Sequence, residues 1–449
     1  MFSLQHVDTH VWFLLELCSP RRNLISQHMA MSSSSQKSQE NDELHRSPDK
    51  LHVTVLASEW GSTKDRLSTI NREQALQLAT CPEVKISVFV PQCNEKDKRM
   101  ALGHHVEIVE ATRVPGCKEL EWLSFLPDHL QIDVVVGHGV NLGHQAQVIR
   151  ESRKCKWVQV VHTVPDELGM FESYQNAILT GVKKHRVEVE LWEKADFVVG
   201  VGSKLCETLG RYLCWSKKEG NIFNITPGVF DEFVKVEHAA EERALFSILV
   251  FGDGDAEDFR LKDFDIVGKA VSELHDAHLV FVGAPEGKDN DIAKHLFECG
   301  LPAHRLTVRS FLQSREDLKQ LFCEVNLVLI PRTGGFGVTG LEALSAGLPL
   351  LVSKNSGFGE ALCTVPFGST CVIDSEDPLV WAEAIKKVWN KDRETRVQEA
   401  KVLRSLYKEK YSWAKQSEVL VKKMVDIINQ GMHFHGYFVA DFRRFKCNQ

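Results

Sequence analysis

From residue 51 onward the chain alternates short apolar runs with amphipathic stretches. His52-Val53-Thr54-Val55-Leu56-Ala57 reads as a first strand, followed by a polar loop over 58–66. Residues 67–79 then place Leu67, Ile70, Ala75, Leu76 and Leu78 at helical spacing. The pattern predicts strands over 85–90, 106–109 and 133–136, the last ending on Gly137-His138-Gly139, with a helix over 141–150. Trp157-Val158-Gln159-Val160-Val161 is the next strand and runs straight into His162-Thr163. A charged helix over 183–195, a strand within 196–201 and a helix opened by Ser203 complete this half.

After a polar, charged stretch over 234–243 the alternation restarts. A strand over 246–251, a loop over 252–262 and a helix over 263–274 lead into strands at 278–282, 306–311 and 326–330, with helices at 289–298 and 316–322 between them. The best strands are continuous apolar runs, which is the signature of a parallel sheet covered on both faces. The expectation is an α/β protein with two Rossmann-like parallel-sheet domains, 51–233 and 244–411, facing across a cleft. Helices are expected over 378–389 and 394–410. An amphipathic helix over 412–428 carries Trp413, Val419, Leu420, Met424 and Ile427. Residues 1–50 read as a tail, because 31–50 is too polar and Ser-rich to bury a core. Residues 431–449 read as a second tail, and His433 and His435 within it as tail residues and not a metal site.

The most distinctive stretch is 331–353, PRTGGFGVTGLEALSAGLPLLVS. It continues from the apolar run Leu327-Val328-Leu329-Ile330 into a loop containing Gly334, Gly335 and Gly337. A helix over 339–346, stopped by Gly347, and a strand over 350–352 follow. Strand, glycine loop and helix together present free backbone N–H groups at a helix N-terminus, which suits a phosphate. His138 and His162 each close a predicted strand at its C-terminal end, where open α/β sheets bind ligands. Either can also be a satisfied structural residue.

Composition narrows the class. A chain of 449 residues has room for two domains, and 43% apolar with 26% charged residues describes a globular protein. The net charge of −7 argues against a general nucleic-acid surface. The 12 Cys show neither a CxxC pair nor zinc spacing with His, so they read as reduced thiols; nothing in the spacing supports the alternative, a disulfide-stabilised secreted protein. The apolar run 10–17 is short and makes a poor signal peptide, and no run reaches membrane-spanning length. A cytoplasmic protein with no nucleic-acid partner and no membrane span is expected.

Gly335-Phe336-Gly337 followed by Leu341-Glu342-Ala343 resembles the donor-site signature of family 4 glycosyltransferases, which have the two-domain GT-B fold. The resemblance implies a retaining transfer from a nucleotide diphosphate sugar to the hydroxyl of an acceptor that the motif does not specify. It implies no cofactor and no metal. By the same resemblance Glu342 would accept hydrogen bonds from the ribose, and the loop Gly335, Phe336, Gly337 and Val338 would offer N–H groups to sugar and phosphate. Lys262 would face the diphosphate, and His162 would stand near the reacting sugar and acceptor. The helix over 412–430 would cross back onto the first domain. Read alone, Glu342 is also a carboxylate in the first turn of a helix, where it suits the dipole, and Lys262 is a solvated lysine.

Three positions depart from the family pattern. Gly334 stands where the motif has its first Glu, Asp253 where an Arg is expected with Arg260 nearby, and Asp65-Arg66 where a Gly-Gly pair is expected. They motivate the alternative of a weakened or inactive relative that keeps the fold as a binding or scaffold protein. A dinucleotide-binding dehydrogenase fits less well, since Gly252-Asp253-Gly254 lacks the third glycine of that fingerprint.

Overall fold

The structure, a computed structural model, describes residues 50–61, 66–163, 177–214, 219–238, 245–252, 263–312, 314–332 and 335–432. Residues 50–432 fall within one compact unit. In its first half, strands β1 (Leu51–Leu56), β2 (Val84–Val90), β3 (Val106–Glu110), β4 (Val134–His138), β5 (Lys156–Val161), β6 (Phe197–Val201) and β7 (Ile222–Ile225) form one sheet in the order β3-β2-β1-β4-β5-β6-β7. Every pairing is parallel. The crossovers carry α1 (Arg66–Leu78), α2 (Glu95–Leu102), α3 (Gly139–Arg153), α4 (Ala177–Lys194) and α5 (Ser203–Leu213).

The second half repeats the design. Strands β8 (Phe246–Phe251), β9 (Ala277–Ala284), β10 (Leu306–Ser310), β11 (Leu327–Ile330), β12 (Leu350–Ser353) and β13 (Val372–Ile373) pair in the order β10-β9-β8-β11-β12-β13, again all parallel. Its helices are α6 (Phe264–Ser272), α7 (Asp289–Glu298), α8 (Arg315–Glu324), α9 (Val338–Ser345), α10 (Gly357–Cys363), α11 (Pro378–Trp389), α12 (Arg393–Lys410) and α13 (Trp413–Met432). Local chemistry starts several of them. The Ser314 hydroxyl accepts from the Asp317 N–H in a capping box, and Asp377 caps α11 ahead of Pro378.

The differences from the sequence reading are local. Helix α3 begins at Gly139 instead of 141, directly after His138. The helix expected over 183–195 begins at Ala177. Two helices went unrecognised: α2 (EKDKRMAL) is polar nearly all round and rests on its Asn94 cap, and α10 (GFGEALC) is a short turn behind the Ser356 cap. Asp65, Asp253, Arg260, Lys262, Gly334, His433 and His435 lie outside the described residues.

One buried cluster runs from the first sheet (Val53, Val88, Val136) through Phe230, Phe233 and Phe322 into the second sheet (Leu249, Val328). Two further clusters cover the opposite faces. Helix α13 sends Leu420, Val421, Met424 and Ile427 into the shared cluster and packs against α1. The segment 226–231, where the chain leaves the first sheet, is gripped from the C-terminal side. The Gln416 side chain accepts from the Thr226 N–H at 2.8 Å and donates to the Thr226 carbonyl at 2.9 Å. The Ser345 hydroxyl accepts from the Phe230 N–H at 3.0 Å, and the buried Tyr407 hydroxyl donates to the Pro227 carbonyl at 2.9 Å.

Tyr407→Phe keeps the ring between Phe358 and Tyr411 and strands the Pro227 carbonyl. Losing that bond in a buried setting lowers stability by about 1–3 kcal/mol. Urea unfolding of the two chains should show the midpoint falling with the slope unchanged; an unmoved midpoint would mean that water replaces the hydroxyl.

Candidate functional site

In the first sheet the chain reverses its winding between β1 and β4; in the second it does so between β8 and β11. Crevices outside the C-terminal strand ends at such switch points are where α/β sheets bind ligands. His138 closes β4, His162 follows the neighbouring β5, and the glycine-rich loop follows β11. The two strand ends meet. A Cβ added at Gly335 would lie 2.9 Å from the His162 carbonyl oxygen, so only a residue without a side chain lets the loop come this close. The Phe336 ring packs between the backbones of Gly202 and Gly357, one from each half, and the Phe336 carbonyl accepts from the Phe358 N–H at 2.6 Å. Nearby, Lys204 on α5 donates to Asn355 at 2.6 Å.

Gly337 caps α9 at φ 96°, a left-handed conformation that turns the loop into the helix. The first N–H groups of α9, beginning at Val338, therefore point back toward the loop without intrahelical partners. Glu342 sits in the second turn of α9, not the first as expected, because the helix starts at Val338. The helix dipole therefore gives no account of its carboxylate.

The rings of His138 and His162 are buried, with Nδ1 of His138 3.0 Å from Nε2 of His162. Burial pushes the His162 imidazole down to about 4, and burial with the neighbouring ring pushes His138 well below its ordinary range. Both are neutral at pH 7.

Sequence reasoning missed the charges around Glu342. Arg315, the first residue of α8, is 8% exposed and stands 3.6 Å from the Glu342 carboxylate. It also pairs with Glu232 and donates to the Thr69 hydroxyl at 3.1 Å, with its guanidinium over the Phe233 ring. Arg72 of α1 reaches the same Glu232 at 3.1 Å. Thr69 and Arg72 belong to the first half, Glu232 to the crossing segment, and Arg315 and Glu342 to the second half. Nothing in the local sequence marks Arg315, whose partners lie up to 246 residues away. Beside them Glu73 is buried. Burial raises its carboxyl to about 7, with the Gln77 hydrogen bond and the Arg72 charge offsetting part of the rise.

Among the described residues no group of three or more His, Cys, Asp and Glu gathers as metal ligands, and no helix is long and apolar enough to cross a membrane. The described cysteines are free. Of the residues singled out in sequence, Gly335, Phe336, Gly337, Val338 and Glu342 lie together on one loop and helix, with His162 against Gly335.

An unfolded Glu73 ionises near 4.5 and the folded one near 7, so unfolding releases a proton between those values. Its contribution to stability is lost as pH rises from about 4.5 to about 7 and stays flat above, a change on the order of 3 kcal/mol. Glu73→Gln keeps an acceptor for Gln77 and has no proton to lose. Denaturant titrations at pH 5 and pH 8 should show the variant gaining on the parent at the higher pH; equal gaps at both would rule out a protonated Glu73.

Comparison with known proteins agrees with this architecture. The family described as "Family 4 Glycosyltransferase in conflict systems" matches residues 54–420. A D-inositol 3-phosphate glycosyltransferase from Corynebacterium urealyticum is 22% identical over 317 residues, 67% of this chain and 73% of that one. An uncharacterized glycosyltransferase from Methanocaldococcus jannaschii is 28% identical over 168 residues, 37% and 40% of the two chains. Among solved structures, sucrose-phosphate synthase from Thermosynechococcus elongatus superposes with a TM-score of 0.61 at 18% identity, over 84% of this chain and all of that one. Anabaena HepE in complex with UDP-glucose does so with the same TM-score at 14% identity and the same coverage. The fold is GT-B, and the chain belongs to the family 4 glycosyltransferases of conflict systems.

Proposed function

We propose that this chain is a retaining glycosyltransferase that moves a hexosyl group from a nucleotide diphosphate sugar to an acceptor hydroxyl. Residues 244–411 bind the donor and 51–233 form the acceptor side. The observation that carries this reading is the meeting of the Gly335 loop, at the switch point of the second sheet, with the His162 strand end, one strand from the switch point of the first. A donor whose phosphates lie on the α9 N-terminus has its sugar at this seam, beside His162. Family membership and the likeness in fold to Anabaena HepE, whose structure holds UDP-glucose, support the same direction.

The roles follow from chemistry. The leaving group is a nucleoside diphosphate, so N–H groups from Gly335 to Val338 and the Lys262 ammonium lower the barrier by stabilising charge as it develops. Glu342, 3.6 Å from the Arg315 guanidinium, accepts hydrogen bonds from the ribose hydroxyls. His162 orients the reacting groups. This reading uses no metal: Lys262 and the loop N–H groups would supply the positive charge to the diphosphate. A binding role without turnover has one specific observation in its favour: Gly334 stands where the family motif carries a Glu for the donor sugar. A missing charged hydrogen-bond partner costs about 1.5–3 kcal/mol, roughly tenfold to a hundredfold in rate.

Calorimetric titration with uridine, guanosine and adenosine diphosphates and their hexose conjugates tests the donor site. One nucleotide should bind at micromolar affinity, and Glu342→Ala should weaken it at least tenfold. Binding by none of them would sink the proposal. Turnover with that conjugate, followed by nuclear magnetic resonance, should show the anomeric configuration kept, and Gly334→Glu should raise kcat/KM. Tight binding with no turnover in either chain would establish the binding role instead.

A further inference from the structure

His138 has no part in the donor chemistry proposed above, yet it is 1% exposed and its ring is spent on one contact. β4 and β5 are adjacent and in register, with His138 opposite Val160, so the two strands deliver both imidazoles to one spot. The bond between them uses Nδ1 of His138 and Nε2 of His162 at 3.0 Å. The second nitrogen of His138, Nε2, is buried without a hydrogen-bond partner among the described residues. Nδ1 of His162 is then the nitrogen left to meet a substrate.

A neutral pair holds one proton across this contact, and two arrangements exist. In the first, His162 donates from Nε2–H. His138 must then carry its own proton on Nε2, as a buried N–H with nothing among the described residues to accept it. In the second, His138 donates from Nδ1–H. Its Nε2 is then a bare acceptor, and His162 carries its proton on Nδ1. Orphaned buried N–H groups are rarer than under-used buried acceptors, which selects the second arrangement. We infer that His138 is a positioning residue that donates from Nδ1 to Nε2 of His162, fixing His162 in the Nδ1–H tautomer as a hydrogen-bond donor to the substrates and not as a base. The inference rests on the transferase reading only for what His162 faces; the tautomer follows from the pair itself.

The reaction then balances without His162 as a base. The acceptor oxygen bonds to the anomeric carbon as the bond from that carbon to the phosphate oxygen breaks. The acceptor's proton passes to the departing phosphate oxygen, the base that the reaction itself generates.

The test uses the full chain labelled with 15N-histidine. Ring-nitrogen resonance spectra, with His162 assigned by the signals lost in His162→Gln, should show a protonated Nδ1 and a bare Nε2 at His162. A protonated Nε2 there would overturn the inference, whether or not the chain turns over. In turnover assays His138→Leu should lower kcat about tenfold to a hundredfold with KM nearly unchanged, since the cost falls on orientation and not on donor binding. His138→Asn, whose amide can donate from near the Nδ1 position, should recover part of that loss. Equal kcat for two folded variants would show that His138 only fills space. A parent chain without turnover would defeat the transferase reading and leave the tautomer measurement decisive.

Discussion

A guanidinium taken out of water needs its charge and its N–H groups met, and nearly enclosed Arg315 is met by two carboxylates. That requirement ties together parts of the chain that share no secondary structure. Glu232 comes from the crossing between the halves, Glu342 from the glycine-loop helix, and Thr69 and Arg72 from the first helix of the other half. Each charge is tolerable only while the others stay in place. The relative position of the two sheets and the direction of the Glu342 carboxylate are thereby settled by one balance. Burial raises the Glu232 carboxyl, but the charges of Arg315 and Arg72 outweigh it and hold the group below its ordinary value. The neighbouring Glu73 has a weaker set of partners and goes the other way.

Around that balance the rest of the seam is built from close approach. Gly335 lets the loop reach the His162 carbonyl, and Phe336 fills the space between Gly202 and Gly357. His162, whose carbonyl Gly335 meets, is paired in turn with His138. The apolar ring closes the seam, and the hydrogen bond between the two imidazoles fixes the orientation of His162. Both are short-range and shape-dependent, so a small shift of either half alters them together.

How much of this could be read from residues alone varied with distance along the chain. Continuous apolar runs such as 327–330 and 157–161 announced buried parallel strands, and the glycine loop before 338 announced an anion-seeking helix end. His162 was legible because it directly continues a strand. The charged seam was not, since Arg315 and Thr69 are separated by 246 residues and each looks like an ordinary surface side chain in its own helix. Phe336 was read through its backbone because its motif is a loop motif; that its ring is the wedge between halves depends on Gly202, 134 positions earlier. Glu342 falls in the second turn and not the first because the helix starts one residue earlier, at Val338, a start marked by the φ of Gly337, a property of the folded backbone. Helix α2 offered no apolar stripe to find.

Helix α13 ends at Met432, yet it covers α1, which begins at Arg66. Its Leu420, Val421, Met424 and Ile427 sit in the same cluster as Val53 and Ile70. During synthesis the first half therefore emerges complete in sequence and incomplete in surface. Its apolar flank waits uncovered while nearly two hundred further residues are made, at a rate on the order of ten per second. The interval of greatest risk for this chain is those tens of seconds on the ribosome, when association with a neighbouring nascent chain competes with a cover that has not yet been translated.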